Sequence, residues 1–156
     1  MFNNVLCATL LVMVLPVAAC SPVSDSDVTS PTPKPVTLSG QMVVPPPWVV
    51  PTGTETCTAE LRTTPFDAAS SVTLDAVRGE DRWTVEENTL GTGALRDGAC
   101  AFTVSLDVPD DTYAEAYRLT VKSSTSSLMV TWDYPADVVR SGAPLAMPLT
   151  DKILVY

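Results

Sequence analysis

Apolar residues along most of this chain recur at every second position, the period of a strand with one buried face. Val36-Thr37-Leu38-Ser39-Gly40-Gln41-Met42-Val43-Val44 places Val36, Leu38, Met42 and Val44 on one face, with Gly40 where another side chain would stand. The clearest run is 100–108, in which Cys100, Phe102, Val104, Leu106 and Val108 alternate with smaller or polar residues until Pro109 ends it. Cys57-Thr58-Ala59-Glu60-Leu61 shows the same alternation. Both cysteines therefore fall on inward faces, which suits a bridge between two packed sheets. Further strands are predicted over 71–77, 82–89, 117–122, 128–134 and 152–156, and a single helical turn over 135–139. Turn sequences at Arg78-Gly79-Glu80-Asp81, Asp97-Gly98, Pro109-Asp110-Asp111 and Ser141-Gly142-Ala143-Pro144 separate these runs. Short strands at that spacing, without a long helical pattern, predict an all-β sandwich of about 7–8 antiparallel strands.

Two stretches break the alternation. In Val43-Val44-Pro45-Pro46-Pro47-Trp48-Val49-Val50-Pro51 three consecutive prolines supply no amide donors and favour polyproline II. The segment reads as a rigid crossover with Trp48 packed down. The other break is N-terminal: from Val5 to Ala19 the chain is apolar except for Thr9. At about 1.5 Å per residue that run covers roughly 22 Å of helix, short of a bilayer core of about 30 Å. Followed by the small residues Val17-Ala18-Ala19, it reads as an export signal, although residues 1–19 contain no Lys or Arg. Val17-Ala18-Ala19-Cys20 resembles the lipobox of bacterial lipoproteins. The resemblance implies that the Cys20 thiol receives a diacylglycerol with palmitate-type chains and becomes the first residue after cleavage. Each buried CH₂ contributes about 0.8 kcal/mol, and two chains pass the threshold for stable anchoring. The alternative is an ordinary signal peptide cut near Ala19, leaving Cys20 as a free or paired thiol.

Residues 21–35, SPVSDSDVTSPTPKP, hold ten Ser, Thr or Pro and no aromatic residue, too little apolar surface to offset chain entropy. The organisation expected is a signal peptide over 1–19, a lipidated cysteine and disordered linker over 20–35, and a sandwich domain over 36–156. A length of 156 residues accommodates one such domain.

Charge and cysteine usage narrow the function. Every charged residue lies after position 19, with 9 Lys and Arg against 18 Asp and Glu, a net charge of −9. Such a surface repels nucleic acid and anionic lipid, and neither is expected as a direct ligand. Of four cysteines, Cys7 leaves with the signal and Cys20 takes the lipid. In an exported protein the remaining Cys57 and Cys100 are expected to pair; the alternative is two buried free thiols. The chain has no histidine. That removes Ser-His-Asp and Cys-His catalysis in their usual forms and zinc sites built on imidazole, and no cofactor is expected.

Gly91-Thr92-Gly93-Ala94-Leu95, then Cys100-x-Phe102-x-Val104, Val108-Pro109 and a strand bearing Tyr117, resemble the C-terminal half of small secreted lipoprotein domains common in actinobacteria. The resemblance covers about residues 37–134. It implies an immunoglobulin-like or related sandwich with a bridging disulfide, and it carries over no catalytic residue.

Few residues offer chemistry. Asp107, Asp110, Asp111 and Glu115 cluster after the clearest strand and could hold calcium, without the spacing of an EF-hand loop. Against this stands a solvated turn. Glu86-Glu87 reads as strand-end solvation, and the five acids between Asp75 and Glu87, interspersed with Arg78 and Arg82, read as wet surface. Trp83 and Trp132 could stack on sugar rings, but their alternating positions favour the core. The reading these observations support is a non-catalytic, lipid-anchored protein on the extracytoplasmic face of the cell membrane, an interaction or structural module whose partner is a cell-envelope protein or glycan. The alternatives are a carboxylate-based hydrolase or sugar-active enzyme using Asp107 and Glu115, and a calcium-dependent adhesion domain.

Overall fold

Alternation at this spacing builds two sheets that bury one face each. The computed structural model describes residues 35–109, 113–149 and 154–155. Residues 1–19, Cys20, the linker as far as Lys34, and Asp110 and Asp111 lie outside the described residues. The first sheet runs in the order β11 (Leu145–Pro148), β1 (Val36–Val44), β8 (Ala99–Val108), β7 (Gly93–Arg96), β3 (Thr56–Leu61), β2 (Val49–Pro51), with β4 (Thr64–Phe66) also paired to β3. The second runs β12 (Leu154–Val155), β10 (Met129–Pro135), β9 (Ala116–Lys122), β5 (Ser71–Arg78), β6 (Asp81–Thr89). The fold is an all-β sandwich. The strands number 12 among the described residues because four short ones join those anticipated, and β1 pairs parallel with β11 while the other pairings are antiparallel.

The pairing of β1 with β8 runs unbroken from Val36 opposite Val108 to Val44 opposite Cys100. It sets Leu38 against Leu106 and Met42 against Phe102, all buried. Leu74, Tyr117, Leu119, Val130 and Trp132 meet them from the second sheet in one continuous core. Each such side chain contributes roughly 1.5–3 kcal/mol on burial. Gly40 is buried in this ladder, and a Cβ there would stand 2.5 Å from the Leu145 carbonyl oxygen. The break in the alternation is therefore where β11 approaches.

Cys57 and Cys100 form a disulfide with a Cα separation of 5.9 Å. It does not join the two sheets. Both cysteines face inward as the alternation requires, but β3 and β8 belong to the same sheet and flank β7. Two strands flanking a third in a flat sheet stand roughly 9.6 Å apart, twice the usual spacing. The shorter distance means that the sheet folds sharply at β7, and Gly93 occupies the crook. A Cβ on Gly93 would lie 2.5 Å from Cys100 Sγ and 2.7 Å from the Cys57 carbonyl oxygen. Inward alternation fixes a side chain's face without fixing its sheet, which is why a bridge between sheets looked natural.

The proline crossover also differs from a pure polyproline segment. Pro45 is extended, but Pro46–Trp48 forms a 3₁₀ turn closed by the Trp48 amide donating to the Pro45 carbonyl at 3.1 Å. Proline's fixed φ suits either conformation, and the turn drops Trp48, half-buried, against the core. The helical turn anticipated after β10 is α1 (Ala136–Arg140), which buries Ala136 and Val139.

Candidate functional site

Alternation that turns Val72, Leu74 and Ala76 of β5 inward turns Thr73 and Asp75 outward. The same parity puts Arg118 and Thr120 of β9, and Thr131 and Asp133 of β10, on the outer face of the second sheet. Register then aligns them in rows. Thr73, Thr120 and Thr131 stand side by side across three strands, and Asp75, Arg118 and Asp133 form the next row. On β6 a bulge leaves Val85 unpaired, between Glu86 opposite Leu74 and Thr84 opposite Asp75. That one-residue shift extends the charged row to Thr84–Asp75–Arg118–Asp133.

The row is bonded along its length. Arg118 grips Asp133 with two parallel hydrogen bonds, Nε to Oδ1 at 2.7 Å and Nη2 to Oδ2 at 2.9 Å. This grip holds the Asp133 carboxyl below the usual carboxylate range and pushes the Arg118 guanidinium up. Thr84 Oγ1 donates to Asp75 Oδ1 at 2.8 Å, and Arg82 Nε stands 3.5 Å from Asp75 Oδ2. Asp75 is 8% exposed, so one of the acids that reads as wet surface is a buried carboxylate on an outer face. The rows wall a trough of about 610 Å³, with Met129 among its lining. A second depression of about 630 Å³ beside Gly79, Glu80 and Asp81 shares Arg82 and Arg118 with it. The arrangement offers donors and acceptors at fixed positions.

The anticipated site residues are placed elsewhere. Asp107 accepts from Thr37 Oγ1 at 3.1 Å on the outer face of the first sheet. Glu115 accepts the Gly79 amide at 3.1 Å at the β5–β6 turn. Among the described residues no group of three or more acids or cysteines could hold a metal ion, and Asp110 and Asp111 lie outside them. Trp132 is buried, and Trp83 and Trp48 pack half-buried against the core. Glu86 is half-buried and Glu87 exposed.

Three strand edges, β11, β2 and β6, carry features that blunt pairing. On β11, Trp132 Nε1 donates to the Pro148 carbonyl at 3.1 Å and Tyr134 Oη to the Ala146 carbonyl at 2.8 Å, while Pro144 and Pro148 have no amide to offer. Burial pushes the Tyr134 hydroxyl up to about 12. β2 has three residues and ends in Pro51. β6 carries the bulge and the acids Asp81, Glu86 and Glu87, features that blunt an edge. No helix among the described residues is long and apolar enough to cross a membrane. Comparison with protein-family models, curated proteins and solved structures gives no match.

Proposed function

We propose that the chain is a lipid-anchored protein of the extracytoplasmic face, a non-catalytic interaction or structural module of the cell envelope akin to the small actinobacterial lipoproteins it resembles. The observation that carries this reading is the Cys57–Cys100 disulfide. Such a bond persists in oxidising compartments outside the cytosol, and it agrees with an apolar leader that closes on Val17-Ala18-Ala19-Cys20. The membrane partner is reached through acyl chains on Cys20. The envelope partner, protein or glycan, meets the sandwich through its faces and loops.

Intact-mass measurement on the membrane fraction tests the anchor. Loss of residues 1–19 with a diacyl adduct on Cys20 is expected, and Cys20→Ala releases or misprocesses the protein. A full-length, unadducted chain in the cytosol would end this reading. Cross-linking on intact cells tests the module, whose expected result is reproducible capture of envelope components.

A further inference from the structure

We infer that the outer face of the second sheet is a binding site for an uncharged, hydroxyl-rich ligand, a neutral glycan. The inference rests on the reading of the chain as an envelope interaction module and names its surface and ligand class.

Charge balance carries the first step. Arg82 and Arg118 line both troughs, and each is already engaged by a carboxylate, Arg82 by Asp75 and Arg118 by Asp133 beside the lining, while Glu80 and Asp81 add negative charge to the second trough. An anionic ligand would have to displace one of these carboxylates from its arginine and would also approach a chain of net charge −9. A neutral ligand does neither.

Hydrogen-bonding capacity supplies the second step. A guanidinium has five N–H donors and a carboxylate about four lone-pair positions. Arg118 spends Nε and one Nη2 donor on Asp133, so donors and acceptors remain at fixed positions along the row. They recur at the strand spacing of about 4.8 Å. Beside them Thr73, Thr120 and Thr131 each present a hydroxyl and a methyl, and Met129 adds apolar surface. Fixed, alternating donors and acceptors next to small apolar groups match a sugar ring, whose edge carries hydroxyls and whose faces carry C–H bonds.

Shape supplies the third. Troughs of about 610 and 630 Å³ each fall within the size of small-molecule sites. Because they meet at Arg82 and Arg118, the ligand is longer than one ring. A peptide strand is the poorer fit on the β6 side of this face, where the bulge and the acids blunt the edge. Burial of Asp75 with its oxygens held by Thr84 and Arg82 is the preorganisation such a site requires.

The test is an array of neutral and uronic-acid-bearing oligosaccharides, followed by titration of the full chain with the best neutral hexasaccharide. Amide shifts are read at Thr73, Arg118 and Thr131. Neutral binding with shifts confined to the second sheet is expected, and Thr120→Val, which keeps shape and β propensity, weakens it several-fold. Asp133→Asn, which breaks the grip that orients Arg118, weakens it about tenfold or more. Absence of any neutral binding at millimolar sugar, equal binding of acidic sugars, or affinity unchanged in both variants overturns the inference. A normal melting curve for each variant separates loss of site from loss of fold. Cross-linking on cells separates the two proposals: envelope capture without sugar binding sinks the glycan site alone, and failure of both sinks the module as well.

Discussion

The two sheets use their outer faces differently. Across β1 and β8 of the first, Thr37, Ser39, Gln41, Thr103 and Ser105 are uncharged, and Asp107 is tied to Thr37. What holds that sheet lies on its inner side, where a disulfide and two close backbone approaches at Gly40 and Gly93 leave no slack. The second sheet has no covalent tie and carries an ordered row of charges outside. Exposed ion pairs contribute little to stability, typically below about 1 kcal/mol. The exposed Arg118–Asp133 pair is thus a poor device for holding strands, as the proposed recognition role requires.

Breaking the first sheet's device should have the largest effect. Gly93→Ala forces a Cβ against Cys100 Sγ and the Cys57 carbonyl, neither of which is the free end of a flexible side chain. Overpacking of this kind costs about 1–3 kcal/mol, and opening the crook forfeits the cross-link besides. We expect a total of about 5–7 kcal/mol and free thiols in the folded fraction, read by denaturant melts and thiol titration. Removing the bond alone, in Cys57→Ala/Cys100→Ala, separates these contributions. Closing a loop between residues 43 apart stabilises by about 4 kcal/mol on chain-entropy grounds. A shift below about 1 kcal/mol would mean that Gly93 and the core hold the fold in the sheet without the cystine.

Tyr134 tests the junction between the sheets, since it rises from β10 to hold β11. Its folded pKa is raised, so its contribution is fully present below the ordinary tyrosine range and is lost as pH climbs from about 10 to about 12. Ionisation removes the proton donated to Ala146. Tyr134→Phe should lose about 1 kcal/mol at neutral pH and flatten that alkaline decline, as followed by thermal melts across pH.

Most strands were legible because their residues alternate strictly. β1, β3, β5, β6, β8, β9 and β10 lie where period-two patterning put them, and the turn after Tyr134 is helical as its residues suggest. β2, β4, β7 and β11 were not, because each has three or four residues and three of them hold a proline, too little for a period to show. Long neighbours recruit them into the sheet. The charged row stayed hidden for a different reason: Asp75, Arg118 and Asp133 sit on three strands with no local pattern linking them, and they meet through register alone. The stretch around Asp75 looked like solvated surface because solvation is what isolated acids show.

The smallest expected effect sharpens the comparison most. Asp133→Asn removes the charge that Arg118 grips, in a pair whose side chains are 38% and 58% exposed. Solvent screening at that exposure holds the stability change to under about 1 kcal/mol. Because the folded pKa of Asp133 is depressed, its share is present above the ordinary carboxylate range and vanishes as pH falls through the folded value. High salt should erase it as well. A loss of several kcal/mol in denaturant melts would show that the outer row holds strands after all, and the distinction between a sheet built to last and a face built to bind would collapse. A negligible loss beside weakened sugar binding would leave recognition as the reason that three strands share one register of charge.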